Sequence, residues 1–176
     1  MVEGRGRRLA APAVPDDDGR ADPVLTTALA AYDAAPEALD RWCEVLSVLT
    51  DPSHDRLLVP VVAVLGEAET DAAGLVHDKS SDMAAVLLTG ADGRRALLAF
   101  TSLETLARWD PAARPVPVRA ALAAVSAVQE DAAALVVDVA GPVRFVVQGD
   151  DLTALGAGYR MVRLDDGRHG WARVGG

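Results

Sequence analysis

The sequence predicts a single α+β domain, a mixed and largely antiparallel sheet with helices packed on it. Three observations lead there. Two pairs of short Val- and Leu-rich runs are joined by turn sequences, Gly90-Ala91-Asp92-Gly93 and Ala140-Gly141-Pro142, the pattern of β-hairpins. Segments with apolar residues at three-four spacing lie around them, opened by capping residues and closed by Gly or Pro. The chain has 176 residues, 51% apolar and 24% charged, enough for one packed core and too few for two ordinary domains.

Residues 1–21 carry Gly, Arg, Pro and Asp without periodicity and are expected to form a flexible arm. Asp22-Pro23 then opens a helix, with Asp as N-cap, Pro in the first turn, and Leu25, Leu29 and Tyr32 on one face. Pro36 starts a second helix whose apolar face is Leu39, Trp42, Cys43, Leu46 and Leu49, ending near Thr50-Asp51-Pro52. The run from Leu57 to Leu65 reads as a buried strand, and the acidic stretch from Gly66 to Asp82 as a long loop. Met83–Thr89 and Arg95–Phe100 form the first hairpin. Thr101-Ser102-Leu103-Glu104 has capping-box spacing with Thr101 as N-cap, and the helix it opens stops at Asp110-Pro111. Arg114–Val118 contains two prolines and is at best an edge strand. A helix follows with Leu122, Val125 and Val128 expected to face inward. Ala133–Val139 and Val143–Gln148 make the second hairpin, and Asp150-Asp151 caps a short helix ended by Gly156 or Gly158. Met161–Leu164 and Gly170–Val174 suggest a weak terminal hairpin around Asp166-Gly167. The expected division is thus arm 1–21, domain 22–158 and a short tail 159–176.

The net charge of -9 gives no electrostatic footprint for phosphate backbones or anionic lipid, so neither nucleic acid nor membrane is expected as a partner. No apolar run approaches the roughly 20 residues of a membrane helix. Arg5, Arg7 and Arg8 precede an apolar stretch too short for a signal peptide. The single cysteine, Cys43, excludes an internal disulfide and a thiolate zinc cage, which fits a cytoplasmic protein. Sixteen of the seventeen basic residues are arginine; the exception is Lys79. That bias suits a GC-rich coding background, in which a lone lysine is either chance or kept for its compact ammonium.

Catalytic signatures are missing from the sequence. Cys43 sits on the apolar face of its helix, where a structural thiol is expected. There is no Gly-x-Ser-x-Gly elbow, and Ser53-His54-Asp55 reads as a surface turn, since triad partners meet through the fold. His54, His77 and His169 fall in predicted turns or loops, without metal-ligand spacing, so no metal is assigned. No Walker or dinucleotide-binding pattern occurs, and no cofactor is expected. Asp150-Asp151 and Asp165-Asp166 fit caps and turns better than paired acid–base groups. One polar group remains. If the first hairpin pairs antiparallel, Lys79 and Asp82 at the start of one strand meet Thr101 and Ser102 at the end of the other. Beside a helix start this is a candidate site for a small anion or carboxylate; a surface Lys79–Asp82 pair next to a helix cap accounts for the same residues.

The chain also resembles a known family. Leu57-Leu58-Val59-Pro60-Val61-Val62 is similar to that family's first strand, and Lys79-Ser80-Ser81-Asp82-Met83-Ala84 to the entry of the next. Thr89-Gly90-Ala91-Asp92-Gly93-Arg94-Arg95-Ala96-Leu97 resembles its central hairpin. Phe100-Thr101-Ser102, Trp109-Asp110-Pro111, Arg114-Pro115-Val116-Pro117-Val118, Leu135-Val136-Val137-Asp138 and Gly141-Pro142 continue the pattern. Together they resemble the SseB-like N-terminal domain, named for an enhanced serine sensitivity phenotype, in its actinobacterial form, over about residues 25–158. The resemblance implies a small cytosolic α+β domain without an assigned reaction. Longer relatives carry a second C-terminal domain, where this sequence has only the tail after Gly158. A type III secretion component shares the letters, but its coiled-coil heptads and translocator segment have no counterpart here.

The leading expectation is therefore a non-enzymatic binding or protein-interaction module, with an unknown protein partner. The alternative is an enzyme or sensor that binds a small anionic metabolite at Lys79, Asp82, Thr101 and Ser102. A structural subunit of a larger assembly, a third reading, predicts a sizeable exposed apolar patch.

Overall fold

A computed structural model describes residues 17–64 and 82–173. The order is α1 (Pro23–Ala34), α2 (Leu39–Leu49), β1 (Arg56–Val64), β2 (Asp82–Ala85), β3 (Leu87–Thr89), β4 (Arg95–Ala99), α3 (Leu103–Trp109), β5 (Arg114–Arg119), α4 (Ala120–Gln129), β6 (Ala134–Val137), β7 (Phe145–Gln148), α5 (Gly149–Gly156), β8 (Arg160–Arg163) and β9 (His169–Ala172). The strands form a three-stranded sheet β2-β1-β5, a four-stranded sheet β3-β4-β6-β7 and the hairpin β8-β9. This is the α+β domain with mostly antiparallel pairing that the sequence predicts. The exception is β4 with β6, which run parallel across the connection α3-β5-α4.

The expected strand Met83–Thr89 is divided between the two sheets. Its first part, β2, pairs with β1; its second, β3, pairs with β4. Proline chemistry explains the switch at Val86. The Val86 N–H donates to the Pro60 carbonyl at 3.0 Å, but Pro60 has no N–H to return. The Val86 carbonyl accepts from the Leu98 N–H at 3.3 Å instead, so the chain leaves β1 for β4. A reciprocal pair of 2.8 Å bonds between Leu58 and Phe100 holds the two sheets together at that junction. β5 is an edge strand as expected, which accommodates Pro115 and Pro117.

One face of the sheet system carries the main core, built with α1, α2, α4 and α5. Asp22 caps α1 as predicted, accepting from the N–H groups of Val24 and Leu25 at 2.8 and 2.9 Å. Leu25 and Leu29 are buried. Tyr32 meets Phe145 of β7 edge-on, with ring centroids 5.2 Å apart, and Trp42 of α2 lies 6.0 Å from the same ring. Two helix faces differ from expectation. Leu39 is 70% exposed, because residues 33–41 lie almost wholly at the surface and the buried part of α2 begins after them. In α4 the buried residues are Ala120, Ala123, Ala124 and Ala127, while Leu122 and Val128 point outward. α4 packs on both α5 and the sheet, and the short alanine side chains let it come close.

Both ends of the domain are tied down. Asp17 pairs with Arg56 at 2.9 Å, and the Arg56 guanidinium also donates to the carbonyls of Arg20 and Thr101. The Leu103 N–H donates to the Gly19 carbonyl at 2.8 Å. Gly19 has φ +73°, a conformation glycine adopts without strain, and a Cβ there would meet the Leu103 side chain. Residues 17–21 of the expected arm are therefore docked; the rest of it lies outside the described residues. The terminal hairpin packs too: Met161 is buried, its N–H donates to Thr50 Oγ1 at 3.1 Å, and Trp171 donates to Asp151 at 2.7 Å.

Candidate functional site

The end of the sheet where β4 and β6 finish holds the most buried carboxylate among the described residues. Asp138, 2% exposed, follows β6 with φ +53°, a region Asp tolerates better than most residues. Its Oδ1 accepts from the Thr101 N–H at 2.9 Å and its Oδ2 from the Thr101 hydroxyl at 2.6 Å. These bonds tie the turn after β6 to the entry of α3. Gly141 is needed for the fit, since a Cβ there would sit 2.7 Å from that of Asp138. The helix start is one residue later than expected. Ser102, not Thr101, is the N-cap, and it forms a reciprocal box with Thr105. Thr101 instead donates both its N–H and its hydroxyl to Asp138.

Between this corner and α1 lies a crevice of about 290 Å³. Thr101, Ser102, Thr105 and Asp138 line it from one side, Thr26 and Leu29 from the other. Its charged groups are Asp138 and a Glu104–Arg108 pair at 2.6 Å. The Thr101 hydroxyl is spent on Asp138 and the Ser102 hydroxyl on the cap, so neither is a poised nucleophile.

The structure places the predicted site residues as follows. Thr101 and Ser102 are buried neighbours in this crevice. Lys79 lies outside the described residues. The Asp82 backbone pairs with Val64, six positions along β1 from Leu58, which pairs with Phe100. At strand spacing that is roughly 20 Å from the Thr101 end. The division of the expected strand at Val86 therefore separates Asp82 from Thr101 and Ser102. Asp138 and Thr105 take part where the sequence gave no signal beyond an Asp after an apolar run.

Other candidates resolve as structure. The Cys43 thiol is buried, and burial together with the Asp40 and Asp151 carboxylates pushes its pKa up, away from a reactive thiolate. Ser53, His54 and Asp55 diverge. The Ser53 N–H donates to Asp51, His54 pairs with Asp22 at 3.0 Å, and Asp55 pairs with Arg119 at 3.2 Å. His169 is not a solvated loop residue; it opens β9 with its side chain 9% exposed, 3.4 Å from Asp40. His77 lies outside the described residues. Among the described residues no group of three His, Cys, Asp or Glu side chains is placed to hold a metal.

A second concavity lies on the sheet face opposite the main core. Side chains of β4, β6 and β7 alternate between the two faces. On this face, Leu98, Phe100 and Val136 are covered by Leu106 and Trp109 of α3. α3 ends there, and the adjoining row Leu88, Ala96, Ala134 and Gln148 floors an open trough of about 500 Å³. Arg94 and Arg144 are among its lining residues.

No helix among the described residues is long and apolar enough to cross a membrane. The SseB protein N-terminal domain family matches residues 25–154, from α1 into α5, and the chain belongs to that family. No curated protein and no solved structure matches the chain.

Proposed function

We propose that this SseB-family domain is a non-enzymatic protein-interaction module of the cytoplasm, in the family's actinobacterial form, and that it docks its partner on the half-covered sheet face. The single observation that carries this reading is the trough floored by Leu88, Ala96 and Ala134, left open where α3 stops. A sheet normally covers its apolar face with helices, and a face left open beside a covered one offers a ready-made contact. The arginine bias supports the actinobacterial reading.

The test is Ala96→Arg, which puts a charge on the trough floor where Ala96 is only half-buried. A partner captured by the wild-type chain should lose at least about ten-fold in affinity, which is about 1.4 kcal/mol, while the circular dichroism spectrum stays unchanged. Equal capture by a folded Ala96→Arg chain sinks the reading.

The crevice at Thr101 and Ser102 supports a second reading, an enzyme or sensor of a small anionic metabolite to which Lys79 contributes, Asp82 lying roughly 20 Å away along β1. The crevice volume favours it; the Asp138 and Glu104 carboxylates beside it oppose an anion. Native mass spectrometry of wild type beside Lys79→Ala decides the matter. A retained small molecule lost in the variant supports this second reading, and a bare chain removes it.

A further inference from the structure

We infer that the crevice between α1 and the entry of α3 binds a small organic cation, a protonated amine on a short apolar body. The inference goes beyond the docking reading, since the crevice and the trough share no lining residue. It also gives the crevice's ligand the charge opposite to that of an anionic metabolite. It comes from a buried carboxylate without a counter-ion and from the direction in which the surrounding hydroxyls donate.

Asp138 is 2% exposed, and buried charges are ordinarily paired. Among the described residues no cation lies within ion-pair distance of it. Its two bonds come from neutral donors, both on Thr101. A carboxylate has about four acceptor positions, so about two are left on a residue that lines the crevice. Arg56 reaches the Thr101 carbonyl, but its charge is met by Asp17 at 2.9 Å. Arg108, the one cation lining the crevice, is matched by Glu104 at 2.6 Å. Asp138 therefore leaves the lining with a surplus of negative charge.

The threonine hydroxyls around the crevice are turned toward the protein. Thr26 donates to the Asp22 carbonyl at 2.8 Å, Thr101 to Asp138 at 2.6 Å and Thr105 to the Ser102 carbonyl at 3.1 Å. Each keeps a lone pair and has no proton to offer, so these side chains accept from a ligand and do not donate to it. The start of α3 does not reverse the preference. Its Leu103 N–H is taken by the Gly19 carbonyl and its Thr105 N–H by Ser102 Oγ, and the Asp138 carboxylate already holds the N–H of Thr101 just before it.

A positive group with several N–H donors complements lone pairs and surplus negative charge, and an ammonium supplies three donors. A metal ion is the less suitable cation, because among the described residues no three His, Cys, Asp or Glu side chains are placed to ligate one. Leu29, Ala30 and Val143 give the apolar body its contact, and a volume of about 290 Å³ suits a small molecule.

The experiment titrates the full chain, labelled for NMR, with butylammonium chloride. Four compounds are run beside it. Butanol keeps the apolar body without the charge, and tetramethylammonium keeps the charge without N–H donors. Sodium butyrate reverses the charge, and sodium chloride controls for salt. Saturable shifts should appear at the amides of Thr26, Thr101, Ser102 and Asp138, and the amine should bind at least about ten-fold tighter than any of the four. Asp138→Asn, at a positive φ that Asn also adopts, should weaken the amine at least about ten-fold. Ala30→Lys puts a competing ammonium at an exposed position on the crevice wall and should weaken it several-fold, whether or not the Asp138 variant folds.

Equal binding of butanol makes the crevice a plain apolar pocket. Equal binding of tetramethylammonium or of sodium chloride takes the N–H donors out of the recognition, and a preference for butyrate makes the ligand an anion. Each of these results overturns the proposal. So does the absence of saturable shifts with the amine, or unchanged amine binding by Ala30→Lys or by a folded Asp138→Asn chain.

Discussion

His54 and Asp22 show how one residue pair joins segments far apart in sequence. Asp22 uses Oδ1 to cap α1 and Oδ2 to meet His54 Nδ1 at 3.0 Å in the turn before β1. The bond from Asp22 holds the imidazole above its ordinary value of 6.5; desolvation opposes it, and the Asp22 and Asp51 charges add to it. On Asp22, burial pushes the carboxyl up, but the bonds from His54, Leu25 and Val24 outweigh it and leave the group below 3.8. The signs follow from linkage. The His54 contribution is complete below 6.5 and is lost as pH rises through the raised folded value. The Asp22 contribution is present above 3.8 and is lost as pH falls through the lowered folded value. Urea unfolding between about pH 6 and pH 8 should therefore show the wild type losing stability with rising pH. His54→Gln, measured the same way, should lose that slope while keeping the α1 cap. An unchanged slope in the variant means that another group sets it. The pair was not legible beforehand. The sequence offers Asp55 as the neighbour of His54, and the fold delivers Asp22 from the start of α1 instead.

α4 is the element where propensity and packing part company. A reading by hydrophobic size chooses Leu122, Val125 and Val128 as the inner face. The buried face is Ala120, Ala123, Ala124 and Ala127, at the same three-four spacing. The period was legible, but the choice between two interleaved stripes was not, because it depends on how closely α4 approaches α5 and the sheet. Ala124→Leu should lower stability by about 1–3 kcal/mol through overpacking. Leu122→Ala should change it by no more than about 0.5 kcal/mol. Differential scanning calorimetry on both variants checks the order, and the reverse order means the helix is turned the other way. The strand run Met83–Thr89 holds the same lesson. Its apolar character announced a strand, and Asp92-Gly93 announced the turn that follows β3. That its first half belongs to another sheet rests on the N–H that Pro60 lacks, a property of a residue more than twenty positions away. The candidate cluster of Lys79, Asp82, Thr101 and Ser102 depended on that run being one hairpin strand.

Across the whole molecule, the terminal hairpin β8-β9 is part of the packed body and lies beyond the family match, which ends at residue 154. Met161 is 7% exposed, and Trp171 packs against the core and bonds to Asp151 of α5. A chain ending at Gly158 should thus be less stable by at least about 1.5–3 kcal/mol, the burial of one such side chain, in urea unfolding followed by fluorescence. A shorter chain as stable as the full one would show the hairpin to be an ornament on a complete domain. The sequence by itself determined the class of fold, the two hairpin turns, the Asp22 cap and the edge position of β5. Each follows from local rules: the positive φ that Gly93 supplies in the first turn, the room that Gly141 leaves in the second, N–H groups that Asp22 satisfies, and a donor that proline lacks. The tertiary structure decided which strands share a sheet, the parallel pairing of β4 with β6, the Asp138–Thr101 link and the sheet face left uncovered beside α3. Those depend on which surfaces meet after the chain has closed, and no local pattern carries that information.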